Sequence, residues 1–195
     1  VMYHYSVGDN PKRLLELIHL AFRDCDMIIT TGGLGPTQDD LTKETIAKAM
    51  GERIVVSDMA MEALKSHYRK SERPMTENNL KQAYMPESAE VLPNDQGTAP
   101  GFWLEKDGKI IVSMPGPPRE MTNMFSKEVM PRLRSLQDSV IHYRILRTFG
   151  LGESKMETVL LPLIDEQTDP TIATYAKEGE CSLRIASKRA TLQEA

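Results

Sequence analysis

A glycine-rich segment at residues 30–42 constrains the fold of this chain more than any other part of the sequence. It follows an apolar run at residues 27–29, which indicates a buried strand, and it leads directly into a helical pattern. Its glycines allow the backbone to approach a ligand closely. The helix that follows directs free N–H groups and the positive end of its dipole into the same space, which favours phosphate. Asp39 and Asp40 stand where a divalent cation could bridge carboxylate and phosphate oxygens.

The same residues also allow a purely structural interpretation. Asp39 or Asp40 could cap the helix, and Gly32-Gly33 could form only a tight turn. No Gly-Lys-Ser/Thr follows, as a Walker A loop requires, and the G-x-G-x-x-G fingerprint of dinucleotide sites is absent. The residues alone therefore leave both interpretations open.

Composition excludes several classes of protein. The formal charge of 24 − 28 = −4 provides no general basic surface for nucleic acid or an anionic membrane. No run approaches the roughly 18 apolar residues that a membrane span needs. Cys25 and Cys181 fit no disulfide or metal-ligand spacing, and the four histidines show no zinc pattern. We therefore expect a cytoplasmic protein without a membrane partner.

Helical and strand patterns alternate along the first part of the chain. A capped helix is predicted from Asn10-Pro11, a strand over residues 27–31, a helix over about 40–50, a strand over 53–56 and a helix from 57 or 58. Residues 1–7 also show a strand pattern. This order predicts a three-layer α/β/α sandwich with a mostly parallel sheet. Ligands bind beyond the carboxyl ends of such strands, where the glycine-rich segment lies.

The second half of the chain changes character. Asp107-Gly108 between two strand-forming runs predicts a hairpin over residues 102–114, and residues 115–118 (Pro-Gly-Pro-Pro) end the second strand and begin a helix. From about residue 139, a strand, a helix and two further strands indicate a small α+β module. We therefore predict a first domain at 1–138 and a second at 139–195.

Four motifs in order carry a family resemblance. Residues 31–42 resemble the signature of the molybdopterin-binding superfamily, and their form Gly-Gly-Leu-Gly-Pro-Thr-x-Asp-Asp-Leu-Thr is similar to the N-terminal domain of the CinA family. Residues 78–83 (Asn-Asn-Leu-Lys-Gln-Ala), 93–101 (Pro-Asn-x-x-Gly-Thr-Ala-Pro-Gly) and 114–121 (Met-Pro-Gly-Pro-Pro-Arg-Glu-Met) also resemble that family. These matches cover most of residues 6–136.

The resemblance implies a metal-assisted hydrolase of a nucleotide-type diphosphate, ADP-ribose, that forms a homodimer. It implies a partial KH-like module over 139–195, and it implies that a preceding strand, helix and Gly-x-Glu loop are missing, so that the fragment could be impaired. An alternative is that the cleft holds a molybdopterin-type phosphorylated ligand without hydrolysing it. Nucleic-acid binding through the KH-like module is disfavoured, because Gly150-Leu151-Gly152 provides no G-x-x-G clamp in an acidic chain.

The resemblance also selects candidate residues. Asp40 aligns with the acidic position of the superfamily, and Asp39 could share the divalent cation; both are the predicted catalytic and metal residues. The predicted ligand-binding residues lie in the four motifs: Thr31, Gly32, Gly33, Gly35, Thr37, Asn78, Lys81, Gln82, Asn94, Gly97, Pro115, Gly116, Pro117 and Glu120.

Several of these residues keep an alternative role. Lys81 could offset phosphate charge, or it could belong to a solvated helix face on which Asn78 lies beside Lys81 or Gln82. Glu120 in a first helical turn is favourable for electrostatic reasons alone, so it is a weak catalytic candidate. We expect the hydroxyl of Thr42 to bond backbone instead of ligand.

Overall fold

The chain divides into two compact units. The computed structural model describes residues 1–72, 74–177 and 180–194, and the units are Val1–Leu133 and Arg134–Ala195. The division falls a few residues before the predicted boundary at 138. Residues 1–8 contain no helix or strand, so the strand predicted at residues 1–7 is wrong.

The first unit alternates helices with short strands. Its helices are α1 (Pro11–Asp24), α2 (Thr42–Ala49), α3 (Asp58–Ser71), a 3-10 helix (Glu77–Ala83), α4 (Pro118–Met124) and a π-helical turn (Phe125–Val129); α5 (Met130–Ser135) begins in this unit. Its strands are β1 (Met27–Thr31), β2 (Ile54–Val56), β3 (Tyr84–Pro86), β4 (Glu90–Leu92), β5 (Gly101–Lys106) and β6 (Lys109–Met114). The predicted start of α1 is confirmed, because Asn10 Oδ1 accepts the N–H groups of Lys12 and Arg13.

The central sheet has the strand order β1-β6-β5-β4. Only β1 and β6 pair in parallel; β5 is antiparallel to both β6 and β4, and β2 pairs with β3 in a separate antiparallel sheet. The α/β class is confirmed, but within the described strands the prediction of a mostly parallel sheet is wrong. The physical reason is the hairpin at Asp107-Gly108, whose two residues both have positive φ and turn the chain back at once.

Both faces of the central sheet are covered. Alternate residues of β5 and β6 pack into two clusters, one around Phe102 and Ile111 and one around Trp103 and Val112. The first cluster takes in α1 and α2, for example at Ile18 and Ile46, and the second takes in the helix that begins at α4, for example at Met124. Helices therefore cover both sides of the sheet, which gives the three predicted layers.

The second unit is the predicted small α+β module. It contains β7 (Val140–Phe149), α6 (Glu153–Asp165), β8 (Thr171–Lys177) and β9 (Glu180–Arg189). The strands form one antiparallel sheet in the order β7-β9-β8. The centre of the predicted turn between β8 and β9, at 178–179, lies outside the described residues. Among the described helices of both units, none combines the length and apolarity needed to cross a membrane.

Candidate ligand-binding cleft

A cleft of about 280 Å³ opens where the parallel strands β1 and β6 end. One part of its lining is the glycine loop, which we define as residues 32–40. A second part, which we call the second wall, consists of Gln82, Thr98, Ala99 and Glu120. The complete lining is Gly32, Gly33, Leu34, Gly35, Pro36, Asp40, Gln82, Thr98, Ala99, Pro115, Gly116, Pro117 and Glu120.

The glycine loop is held in shape by the first residue of α2. Gly32 and Gly33 have φ values of 95° and 68°, which side chains disfavour. The Thr42 hydroxyl donates to Gly32 O at 3.0 Å, as expected from the sequence, and Thr42 N donates to Gly33 O at 3.2 Å. A Cβ at Gly33 would lie 2.1 Å from Thr42 Oγ1. Only glycine therefore fits at position 33.

The loops that follow β1 and β6 meet through backbone. Gly32 N donates to Met114 O at 2.9 Å, and a Cβ at Gly116 would come within 3.3 Å of Gly32 Cα. Within the described part of the chain, the N–H groups of Gly33, Leu34 and Gly116 donate to no protein acceptor. These three residues line the cleft, so their N–H groups are candidate donors for an anion.

Asp40 lines the cleft and also stabilises the glycine loop. Its Oδ2 accepts hydrogen bonds from Thr37 N at 2.9 Å and from Thr37 Oγ1 at 2.5 Å. Burial raises the pKa of Asp40, but the hydrogen bonds from Thr37 and Gly35 and the charge of Lys81 outweigh burial and hold this pKa below its usual value. The carboxylate is therefore ionised at neutral pH.

Two lysines tie the glycine loop to the 3-10 helix. Lys81 Nζ donates to Thr37 O at 2.9 Å and to Asp40 O at 2.5 Å, and Lys43 Nζ of α2 donates to Lys81 O at 2.7 Å. Lys81 thus donates hydrogen bonds to loop carbonyls and does not line the cleft. These reciprocal bonds fix the 3-10 helix, which carries Gln82, against the glycine loop.

Lys43 is a feature that sequence reasoning missed. Its side chain is only 1% exposed, and burial lowers its pKa to about 8; the carboxylates of Glu44 and Asp40 oppose this shift, and the charge of Lys81 adds to it. A signal was present in the sequence, because Lys43 precedes the buried residues Ile46 and Ala47 at helical spacing. The pattern placed Lys43 on the buried face, but a lysine there was not expected.

Gln82 and Thr98 form the polar part of the second wall. Gln82 is 1% exposed, and its Nε2 donates to Thr98 Oγ1 at 3.0 Å. Its other amide atom, Oε1, is buried and has no hydrogen-bond partner among the described residues. Thr98 and Ala99 lie in a quoted motif but were not selected as site residues from the sequence.

Glu120 reaches the cleft from the first turn of α4 and is oriented by the loop before β5. Asn94 Nδ2 donates to Glu120 Oε2 at 2.7 Å and to Ala99 O at 2.9 Å. A Cβ at Gly97 would lie 2.1 Å from Glu120 Oε2, so Gly97 makes room for this carboxylate. Asn94 and Gly97 thus act through Glu120 and do not line the cleft themselves.

The structure brings most of the predicted site residues together. Those in the lining are Gly32, Gly33, Gly35, Asp40, Gln82, Pro115, Gly116, Pro117 and Glu120. Four more, which do not line the cleft themselves, contact lining residues: Thr37, Lys81, Asn94 and Gly97. Thr31, Asp39 and Asn78 are exposed and lie outside the lining.

The position of Asn78 follows from the helix type. In a 3-10 helix, residues three apart share a face, and here Asn79 and Gln82 are both buried. Asn78 therefore cannot lie beside Gln82, as an α-helix would allow. Asn79 instead caps the helix start through its contacts with Thr76.

The donor set of the cleft fits a hard divalent cation. Asp40 and Glu120 both line it, and carboxylate oxygens are the ligands that such ions prefer. No cluster of three or more His, Cys, Asp or Glu side chains with metal-binding geometry occurs among the described residues. A single carboxylate such as Asp40 is nevertheless compatible with magnesium, which is commonly held by one or two carboxylates together with phosphate oxygens of a ligand.

Comparison with known proteins places this cleft in a family. The family described as "Probable molybdopterin binding domain" matches residues 1–135, and the family described as "Damage-inducible protein CinA KH domain" matches residues 143–195. The chain therefore belongs to the molybdopterin-binding domain family and, within it, to the CinA-like proteins, as the resemblance predicted.

Relatives of known sequence and structure agree with this assignment. CinA-like proteins of Dictyoglomus thermophilum and Dictyoglomus turgidum are 49% and 47% identical over 195 residues, which is 100% of this chain and 47% of each relative. The chain thus spans about half the length of these curated relatives. The solved structure of the protein CinA from Thermoplasma acidophilum is similar, with 31% identity and a TM-score of 0.57; the match covers 64% of this chain and 71% of that one.

Proposed function

We propose that the cleft binds a nucleotide-type diphosphate and hydrolyses its pyrophosphate bond, with ADP-ribose as the substrate. One observation carries the proposal: unpaired N–H groups of Gly33, Leu34 and Gly116 share the cleft with two carboxylates, Asp40 and Glu120. The amide donors would bind the phosphate oxygens, Asp40 would hold a cation that neutralises them, and Glu120 would act on the attacking water. The choice of ADP-ribose rests on the family resemblance.

The glycine loop supplies the phosphate-binding part of the site. The loop runs into the N-terminus of α2, an eight-residue helix whose positive dipole end favours an anion. The close backbone approach of Gly32 and Gly116 keeps side chains away from the bound phosphates. The same N–H groups would stabilise the negative charge that develops on phosphate oxygens as the bond breaks.

The two carboxylates take different roles in this proposal. Asp40, which is kept ionised, would hold a divalent ion such as magnesium; that ion would polarise the pyrophosphate and lower the pKa of a bound water. Glu120, oriented by Asn94, would accept a proton from the attacking water. Water oxygen bonds to one phosphorus as the bridging P–O bond breaks, which yields AMP and ribose 5-phosphate.

The test compares two neighbouring aspartates with the same chemistry and different positions. Asp40→Asn removes a carboxylate from the cleft, whereas Asp39→Asn is the matched control, because Asp39 is exposed outside the lining. With ADP-ribose and Mg²⁺, AMP and ribose 5-phosphate are measured as the inorganic phosphate that an added phosphatase releases from them. We expect Asp40→Asn to slow their formation by about 100-fold, the scale for losing one electrostatic partner of a transition state. Asp39→Asn should retain the wild-type rate.

A third variant separates catalysis from loop support. Thr37→Val removes the hydroxyl that donates to Asp40 and leaves the carboxylate in place. A loss in Thr37→Val as large as in Asp40→Asn would show that Asp40 acts only by supporting the loop. Equal turnover in Asp40→Asn and Asp39→Asn, with both variants folded, would exclude the catalytic role.

The second candidate function is binding of a molybdopterin-type phosphorylated ligand without hydrolysis. The matching family description favours it, and so does the engagement of Asp40 Oδ2 by Thr37, since a carboxylate could serve the loop alone. Saturable binding of a phosphorylated pterin that is insensitive to a chelator, together with no turnover of ADP-ribose, would support this candidate. The predicted homodimer remains a prediction.

A further inference from the structure

Gln82 carries an unused hydrogen-bond acceptor at the wall of the cleft. The residue is 1% exposed and lines the cleft, and its Oε1 has no partner within the described part of the chain. Buried polar atoms in native proteins nearly always have a partner, because an unpaired one costs free energy. The missing partner is therefore expected to be a group that enters the cleft.

We infer that Gln82 and Thr98 bind a sugar hydroxyl of the ligand; this inference rests on the proposed function and extends it. An amide oxygen only accepts hydrogen bonds, so its partner must be a donor. The oxygens of an ionised phosphate are acceptors, so they cannot satisfy Oε1. Gln82 thus belongs to the part of the site that contacts the ligand beyond its phosphates.

Thr98 limits which kind of ligand group can donate to Gln82 Oε1. Its Oγ1 accepts the hydrogen bond from Gln82 Nε2, which leaves the hydroxyl proton of Thr98 to donate. The second wall therefore presents an acceptor and a donor side by side. A hydroxyl group matches both at one atom, whereas an N–H group could serve only Gln82 and a phosphate oxygen could serve only Thr98.

The position of this pair relative to the phosphate site is fixed. Lys81, next to Gln82, is bonded to the backbone of Thr37 and Asp40 in the glycine loop, and Lys43 is bonded to Lys81 O. A ligand must therefore carry its hydroxyl at a set distance from its phosphate. A ribose phosphate unit, with hydroxyls on the ring that bears the phosphate, has this form.

Binding of small phosphates to the full chain tests the inference without requiring turnover. Calorimetry would give the affinities of ribose 5-phosphate, AMP and inorganic phosphate for the wild type and for Gln82→Met, which keeps side-chain volume and removes both polar atoms. We expect ribose 5-phosphate to bind the wild type more tightly than inorganic phosphate. Gln82→Met should weaken ribose 5-phosphate and AMP by about ten-fold, as for one lost hydrogen bond, and leave inorganic phosphate unchanged.

Two further variants serve as a control and as an independent test of the same contact. Gln137→Met is the matched control, because Gln137 is exposed and lies in the other unit. Thr98→Val removes the second partner at a half-buried position and should reduce ribose 5-phosphate affinity in the same selective way, even if Gln82→Met does not fold.

The possible results separate this inference from the proposed hydrolysis. If Gln82→Met binds all three phosphates more weakly by the same factor, or binds none of them more weakly, the hydroxyl assignment is overturned. A loss confined to AMP would place the donor on adenine and would also overturn it. If the selective loss is found but ADP-ribose is not hydrolysed, the hydrolysis proposal fails and the hydroxyl assignment stands.

Discussion

The glycine loop and the second wall line the same cleft but satisfy their polar groups in different ways. In the glycine loop, Asp40 accepts from Thr37 and Gly32 accepts from Thr42, so the protein itself supplies the partners that set its shape. In the second wall, the amide oxygen of Gln82 is buried without a partner. The side chains that shape the glycine loop are therefore partnered within the protein, as is Glu120 of the second wall through Asn94, whereas the Gln82 amide oxygen is left for a bound ligand.

Because of this difference, we expect the glycine loop to matter mainly for the stability of the fold and the second wall mainly for the choice of ligand. Disturbing the glycine loop breaks contacts on which the folded state depends, because the loop joins β1 to α2 and meets the loop after β6. In the second wall, the hydrogen bond between Gln82 and Thr98 does not join strands or helices of the sheet, and within the described part of the chain the Gln82 amide oxygen makes no hydrogen bond that a substitution could break. Substitutions in the two regions should therefore be distinguishable by whether unfolding or ligand affinity responds first.

The largest effect is expected from Gly33→Ala in the glycine loop. The new Cβ would meet Thr42 Oγ1 at a position with φ of 68°, so strain and overpacking add to about 3 kcal/mol of lost stability. Gly108→Ala is the matched control: its φ is 72°, and a Cβ there has nothing within 4 Å. It should lose only about 1 kcal/mol. Urea unfolding measures both, and equal losses would mean that the clash with Thr42 is relieved at no cost.

The next effect is a pH dependence that comes from Lys43, which ties α2 to the 3-10 helix. Its pKa falls from 10.5 to about 8 on folding, so the unfolded state binds more protons between these values. The free energy of unfolding of the wild type should therefore rise with pH from about 8 to 10.5, by up to about 3 kcal/mol. Lys43→Met should remove this rise, and its stability at pH 7 should equal or exceed that of the wild type.

Lys48→Met provides the control for that titration, since Lys48 lies on the same helix and is exposed. Its stability should follow the pH dependence of the wild type. Lys81 O also accepts the N–H of Tyr84, so Lys43→Met leaves no backbone carbonyl unpaired. A rise with pH that persists in Lys43→Met would assign the titration to another group.

The smallest of the three effects tests the second wall through Asn94. Asn94→Ala removes the hydrogen bonds to Glu120 and Ala99, so hydrolysis of ADP-ribose should fall about ten-fold while the protein loses about 1 kcal/mol of stability. Inorganic phosphate should bind as before, because the glycine loop is untouched. Gln96→Ala, at an exposed neighbour, is the control. A matching loss of phosphate affinity would show that the two regions are not independent.

Local signals in the sequence were enough for much of the fold. Asn10-Pro11 begins α1, and Asp107-Gly108 forms the predicted hairpin, because each depends on the conformational preferences of a few adjacent residues. The short strands β3 and β4 were not predicted. Three residues are too few to show a periodic pattern, and their pairing is decided by partners distant in the chain.

The candidate cleft was predictable where backbone makes it and less so where side chains do. The glycines and the Pro115–Pro117 turn were found because their sequence pattern is unusual. The buried state of Gln82 and Lys43 was not, since it depends on a 3-10 helix docked on α2 and on hydrogen bonds between residues far apart in sequence. Asp39 and Asp40 look alike in sequence, and only the turn at Thr37 decides which one faces the cleft.

The contact between Gly32 and Gly116 limits how this protein can be redesigned. Both positions line the cleft and tolerate a side chain poorly: Gly32 has a φ of 95°, which side chains disfavour, and a Cβ at Gly116 would lie 3.3 Å from Gly32 Cα, a tight contact. An engineer who wishes to alter ligand preference must therefore work at Gln82 and Thr98, where substitutions leave the junction of the strands intact. Ligand preference can therefore be changed at the second wall, while the glycines at the strand ends have to be kept.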